Sequence, residues 1–226
     1  MDAIRGTAYV LGDNVDTDQI IPARHLVYDL DDPAERRLYG RFALSGVPER
    51  EAGLPDGMQS FVPDGSDTSP FSILIAGRNF GCGSSREHAA VALAMAGVRV
   101  VVASSFARIF FRNSVDGGYL IPVESVEDVT FQIHTGDVVA INMEELTMTN
   151  ETRGMSHSIR PLEEIAEIVE AGGIFGYARA YQLTETGKEN NDKTDCSAAG
   201  GRHWAGGITG NCEDSGRCWY PSGFLF

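Results

Sequence analysis

Between Asn79 and His88 the chain reads Asn-Phe-Gly-Cys-Gly-Ser-Ser-Arg-Glu-His. Gly81 and Gly83 permit close backbone approach. Two hydroxyls, a guanidinium, a carboxylate and an imidazole then follow in unbroken succession. Arginine presents a planar fork suited to a carboxylate. A helix N-terminus offers N–H groups and the positive end of a dipole to an anion. A serine deprotonated there would have its alkoxide held by both, as in an oxyanion site. Ser84 and Arg86 are therefore candidates for chemistry. A structural reading stands beside this one. Ser84-x-x-Glu87 has the form of a capping box, which would leave Arg86 a solvated first-turn residue and His88 a packed or capping histidine. The serine lacks the G-x-S-x-G elbow and the His and Asp partners of a hydrolase.

The elements that must position this motif are legible on either side of it. Phe71 to Ala76 is an apolar run that reads as a buried strand. Ser84 to Ala96 is expected as a helix closed by Gly97 at C′. Val98 to Ala103 reads as a second buried strand, Phe106 to Ser114 as a helix, and Tyr119 to Val123 as a third strand. This βαβαβ order predicts a small, mostly parallel sheet with covering helices. After Glu124 the texture becomes that of short strands, over Val129–Ile133, Val138–Met143, Leu146–Asn150 and Met155–Ile159. They are expected as antiparallel hairpins or a barrel-like part packed on the sheet. Pro161 to Ala171 reads as a last helix, with Glu163 and Glu164 in its first turn.

Upstream, Thr7 to Leu11 is strand-like and leads into Gly12-Asp13-Asn14-Val15-Asp16-Thr17-Asp18. The spacing of these acids does not fit an EF-hand, so they are expected as turn and capping residues. Arg24-His25-Leu26-Val27-Tyr28 follows a proline break, as either a connecting turn or a pocket-lining loop. Asp32-Pro33 signals a short helix start. Residues 29–70 otherwise read as an irregular insert, lid-like or simple surface decoration, within a domain expected to span residues 1–183. From Thr184 to Phe226 the composition shifts to Gly, Asn, Asp, Ser and Cys without period, and a poorly ordered tail is expected. Cys196, His203, Cys212 and Cys218 in that tail are irregularly spaced for a metal site.

A net charge of −14 argues against nucleic acid as a partner. It leaves small anionic substrates open, because a few arginines can dominate a pocket. Hydrophobic content of 42% supports an ordinary globular core, and no apolar run approaches a membrane span. The first residues carry no signal-peptide pattern, so a cytoplasmic protein is expected.

The run Asn79 to Ala89 resembles the signature of the swivelling domain in the aconitase superfamily, and most nearly the small subunits of 3-isopropylmalate dehydratase. Asn14 to Pro22, Ser105 to Ser114 and Ala171 to Phe175 support the resemblance, which spans Gly6 to about Ala180. It implies an α/β swivelling β/β/α domain that works in leucine biosynthesis as half of a heterodimeric hydro-lyase. In that family a large subunit carries a [4Fe–4S] cluster, and the small subunit closes over a dicarboxylate hydroxy-acid. No cofactor or metal is then expected in this chain. Carried over, Ser84 is the general base, Arg86 binds a substrate carboxylate, His88 supports the local network and Ser85 contacts substrate. The loop Arg24, His25, Leu26, Val27 and Tyr28 falls where family members choose among substrate side chains. Leu26 and Val27 suit an isopropyl group. Citramalate, dimethylmalate or homoaconitate chemistry, and a non-catalytic interaction protein, are the alternatives.

Overall fold

The computed structural model describes residues 3–161 and 165–180. Seven strands form one sheet: β1 (Ile4–Val10), β2 (Ile73–Ala76), β3 (Val100–Ala103), β4 (Ile121–Glu124), β5 (Val138–Asn142), β6 (Thr147–Asn150) and β7 (Met155–Ser158). Their order is β4-β3-β2-β1-β5-β6-β7. The first four are parallel, and β5, β6 and β7 are antiparallel. β1 joins the two halves. Its Ala8–Val10 end pairs with β2 and its Ile4–Thr7 end with β5. The expected hairpins thus join the sheet edge to edge through β1, and the sheet curls so that β5 and β6 also pack on the parallel strands.

Among the described residues there are six α-helices: α1 (Thr17–Ile20), α2 (Pro33–Arg41), α3 (Glu87–Ala96), α4 (Arg108–Asp116), α5 (Ile165–Glu170) and α6 (Ile174–Ala180). Every residue of β2 and β3 is buried, because successive side chains enter different cores. Tyr9, Leu74, Ala76, Val101 and Ala103 face α2, α3 and α4. Val10, Ile73, Ile75, Val100 and Val102 face the other way, against Val129, Ile133 and Met148.

Val129–Ile133 is a correction. Val129 and Ile133 are buried and Phe131 is 87% exposed, but the backbone is a turn. The Asp128 carboxylate accepts from the Thr130 N–H at 3.0 Å, and the Val129 carbonyl accepts from both Gln132 and Ile133. A capping side chain has curled a run whose apolar alternation in sequence reads as a strand.

The expected lid over 29–70 meets a segment rooted in the core. Asp32 caps α2 through the Ala34 N–H, with Pro33 at its first position. Tyr39, Ala43, Leu44, Phe61 and Val62 are buried, and the Phe61 ring meets Tyr9 edge-on at 5.0 Å. The tail from 184, with Cys196, His203, Cys212 and Cys218, lies outside the described residues, as does the segment 162–164 before α5.

α2 lies tightly on α3 at Gly40. A methyl group there would stand 2.4 Å from the Asp67 carbonyl oxygen and 2.8 Å from the Met95 backbone. These are backbone atoms, so the contact cannot be relieved by a side-chain rotation. Gly40→Ala is expected to destabilise the chain by about 1–3 kcal/mol, read from its chemical denaturation midpoint.

Candidate active site

The parallel pairing of β1 and β2 does not stop at the strand ends. Beyond them the Gly77 N–H donates to the Gly12 carbonyl at 3.1 Å and Asn14 to Arg78 at 2.8 Å. Gly81 then donates to Val15 and Thr17 to Cys82, each at 2.8 Å. Side chains reinforce the pairing. The Arg78 guanidinium donates to Asp13 through Nη2 at 2.7 Å, and its hydrogen bonds hold the Asp13 carboxyl below its usual range. Asn14 and Asn79 both adopt left-handed backbone, and their side-chain amides meet at 3.0 Å.

The other edge of this strip is tied to the loop after β3. Phe80 donates to the Ser105 carbonyl and accepts from the Ala107 N–H. The Phe80 ring is wholly buried and meets Phe110 edge-on at 5.2 Å. Gly81 is required here: at φ 76° its Cβ would sit 2.2 Å from the Phe110 ring.

Ser84 does not cap α3. The helix begins at Glu87 with Arg86 at the N-cap, and no side chain caps it. Two contacts delay it. The Ser84 N–H is taken by the Thr17 hydroxyl at 3.1 Å, and the Arg86 N–H turns back to the Ser84 carbonyl at 2.8 Å in a three-residue turn. Glu87 is also engaged elsewhere, accepting from the Tyr119 hydroxyl at 2.5 Å. Burial and this contact raise the Tyr119 hydroxyl to about 12. The Ser84 and Ser85 side chains are thereby left exposed ahead of the helix.

Arg86 is only 21% exposed and is held by Asp18, whose Oδ1 accepts from Nη1 at 2.6 Å. Nothing in the spacing of residues 68 positions apart signals this pair. Asp16 caps α1 as expected of that acidic run, with Gln19 completing a capping box. Thr17 and Asp18 were not singled out from the sequence for the roles they take.

His88 packs beside Tyr39, ring centroids 5.4 Å apart. The Tyr39 hydroxyl donates to the Tyr28 carbonyl at 2.7 Å, so one buried ring links the motif helix to the 24–28 loop. In that loop Ala23–His25 is a single 3-10 turn. His25 stacks on Phe42 at 3.9 Å and accepts from Arg24 Nε at 3.1 Å. Leu26 and Tyr28 are half-buried against the core, whereas Val27 is 72% exposed.

Residues 51–127, which contain the motif, match the aconitase C-terminal domain. The chain is 44% identical over 176 residues to 3-isopropylmalate dehydratase small subunit 1 of Arabidopsis thaliana, covering 77% of this chain and 68% of that one. It is 41% identical over 177 residues to the 3-isopropylmalate dehydratase small subunit of Pyrobaculum neutrophilum, covering 78% and 96%. The chain belongs to the 3-isopropylmalate dehydratase small-subunit family. The fold agrees with a crystal structure of a 3-isopropylmalate dehydratase from Methanocaldococcus jannaschii. That match has a TM-score of 0.61 at 34% identity, over 80% of this chain and 96% of the other. A small subunit of a two-subunit enzyme implies a large-subunit partner.

Among the described residues no group of three His, Cys, Asp or Glu side chains comes together to hold a metal ion. Cys82 is a free thiol against the Asn14 carbonyl at 3.6 Å, and burial raises its pKa. Among these residues, too, no helix is long and apolar enough to cross a membrane.

Both site histidines favour the neutral form. Burial lowers the pKa of His25, and Arg24 adds to this. Burial also lowers that of His88, with Glu87 opposing and Arg86 assisting. As pH falls, the unfolded chain takes up these protons first, near its ordinary histidine pKa of about 6.5. Their contribution to stability is therefore unchanged above that pH and declines below it. Denaturation midpoints compared at pH 7.5 and 5.5 are expected to differ less in a His25→Gln/His88→Gln variant than in the parent chain.

Proposed function

We propose that this chain is the small subunit of a two-subunit hydro-lyase that interconverts 2-isopropylmalate and 3-isopropylmalate by dehydration and rehydration. The observation that carries the reading is Ser84: an exposed hydroxyl on a turn pinned from beneath, two residues before a fixed guanidinium. In the dehydration step the Ser84 oxygen removes the proton from the carbon beside a substrate carboxylate. The C–H electron pair forms the double bond as the C–O bond breaks and the hydroxyl departs with its electron pair as hydroxide. For the isomer to form, rehydration delivers the Ser84 proton to the carbon that lost the hydroxyl, while hydroxide adds at the carbon that lost the proton.

Arg86 binds the carboxylate. Asp18 occupies its Nη1 corner, and a fork with five donors has others to offer. Asp18 also holds the guanidinium still, so its charge is in place when negative charge develops. The first turn of α3 directs N–H groups toward the 84–86 turn, where they favour a serine alkoxide. Ser85 is placed to contact substrate. His88, neutral and packed on Tyr39, supports the network. The exposed Val27 with Leu26 would meet the isopropyl group, and Arg24, His25 and Tyr28 shape the same loop.

A [4Fe–4S] cluster on the large subunit would supply the Lewis acid that draws off the hydroxyl. The described residues of this chain do not fit it, having no set of three ligating side chains. Such a partner requires a reducing compartment, and we assign the complex to the cytoplasm. The working domain is assigned to residues 1–183, with 184–226 as an appended tail.

Reconstituted anaerobically with its large subunit, the chain is expected to turn over isopropylmalate in preference to citramalate, dimethylmalate and homocitrate. Ser84→Ala is expected to lower kcat by about 10²–10⁴ with assembly intact. Near-full turnover in that variant would sink the base assignment.

A further inference from the structure

We propose that Thr17 is the positioning residue for Ser84, setting the rate of proton transfer without touching substrate. The proposal rests on the assignment of Ser84 as the base. Thr17 is 2% exposed, at the first position of α1. Its N–H donates to the Cys82 carbonyl at 2.8 Å, and its hydroxyl accepts from the Ser84 N–H at 3.1 Å. One buried residue therefore grips the chain on both sides of Gly83.

Gly83 lies at φ 92°, and a Cβ there would stand 3.3 Å from the Thr17 oxygen. The chain thus passes close over Thr17 in a conformation that costs glycine little. α1 does not yield beneath it. Asp16 and Gln19 close that helix with reciprocal bonds of 2.7 and 2.9 Å, and Asp16 itself bridges to Cys82. The anchor below the serine is rigid.

The serine above it has little else to locate it. Its side chain is exposed, its carbonyl is held only within the local turn to Arg86, and the helix starts two residues after that serine's neighbour. A valine would match threonine in shape, so packing alone does not call for a hydroxyl at a buried position. A buried hydroxyl is costly unless it is hydrogen-bonded, and here its partner is the backbone of the proposed base. Reactions lose rate steeply when a reacting group is misplaced, on the order of 10²-fold for 1 Å.

The test uses the full chain reconstituted with its large subunit. Thr17→Val keeps the shape and removes the acceptor; Thr17→Ser keeps the acceptor and removes the methyl group. Thr17→Val is expected to lower kcat per assembled complex about 10–100-fold, with KM changed little. With substrate deuterated at the carbon that loses the proton, its isotope effect on kcat should rise. Thr17→Ser is expected to retain kcat within about threefold, since the geometry that matters is kept. Wild-type kcat in assembled Thr17→Val overturns the proposal, as does an equal loss in both variants. If Thr17→Val does not fold, amide exchange in the parent chain decides: the Ser84 N–H should exchange more slowly than that of Ser85, and equal rates overturn the proposal. Ser84→Ala separates the two layers. An active Ser84→Ala complex removes the base assignment, whereas an inactive one beside a fully active Thr17→Val removes the positioning role alone.

Discussion

The site depends on a pairing that outlasts its strands. β1 and β2 end at Val10 and Ala76, yet the chains that leave them stay bonded to each other from Gly12 and Gly77 to Thr17 and Cys82. Loops that leave a sheet usually part and take up separate conformations on the surface. Here four backbone hydrogen bonds cross between the two loops, answering groups that would otherwise go to water. The loop after β3 closes the opposite side through Phe80, Ser105 and Ala107. The motif is therefore a strip held on both edges, and its glycines serve contact as much as turning.

That constraint decides where α3 can begin. A capping box would have drawn Ser84 into the helix start and spent its hydroxyl on an N–H group. Instead the pull of Thr17 on the Ser84 amide and the turn from Arg86 back to Ser84 keep the chain out of the helix for two more residues, while Tyr119 occupies Glu87. The helix goes uncapped by any side chain and the serine is left exposed. A modest loss of helix-end stabilisation, about 1 kcal/mol for a typical N-cap, is the cost of presenting that hydroxyl. The Asp18–Arg86 pair follows the same logic, since it fixes a charge at the surface more than it strengthens the fold.

Tyr39 does for the 24–28 loop what Thr17 does for the motif. It sits on α2, fully buried, with its ring against His88 and its hydroxyl on the Tyr28 carbonyl. The irregular segment that carries it is thus a support connecting two parts of the proposed site. The close approach at Gly40, one residue further along, brings α2 near enough to α3 for that ring to span them.

Much of this was legible in the chain itself. The apolar runs at 71–76 and 98–103, the terminating Gly97 and the Asp32-Pro33 helix start are local signals, and local signals survive folding. The density of chemical groups at 79–88 marked the family and the proposed site together. What sequence alone could not decide were the relations across long separations. The true start of α3, the Asp18–Arg86 pair, the Thr17 grip and the continuation of the hairpins through β1 each need residues far apart in the chain to meet. The run 129–133 alternates apolar and polar residues as a strand does, but Asp128 holds its backbone in a turn that buries Val129 and Ile133 and leaves Phe131 exposed. Residue types set which chemistry was available. Packing between distant loops decided which atoms were free to perform it, because a hydroxyl is reactive or structural according to what the neighbouring backbone has already taken.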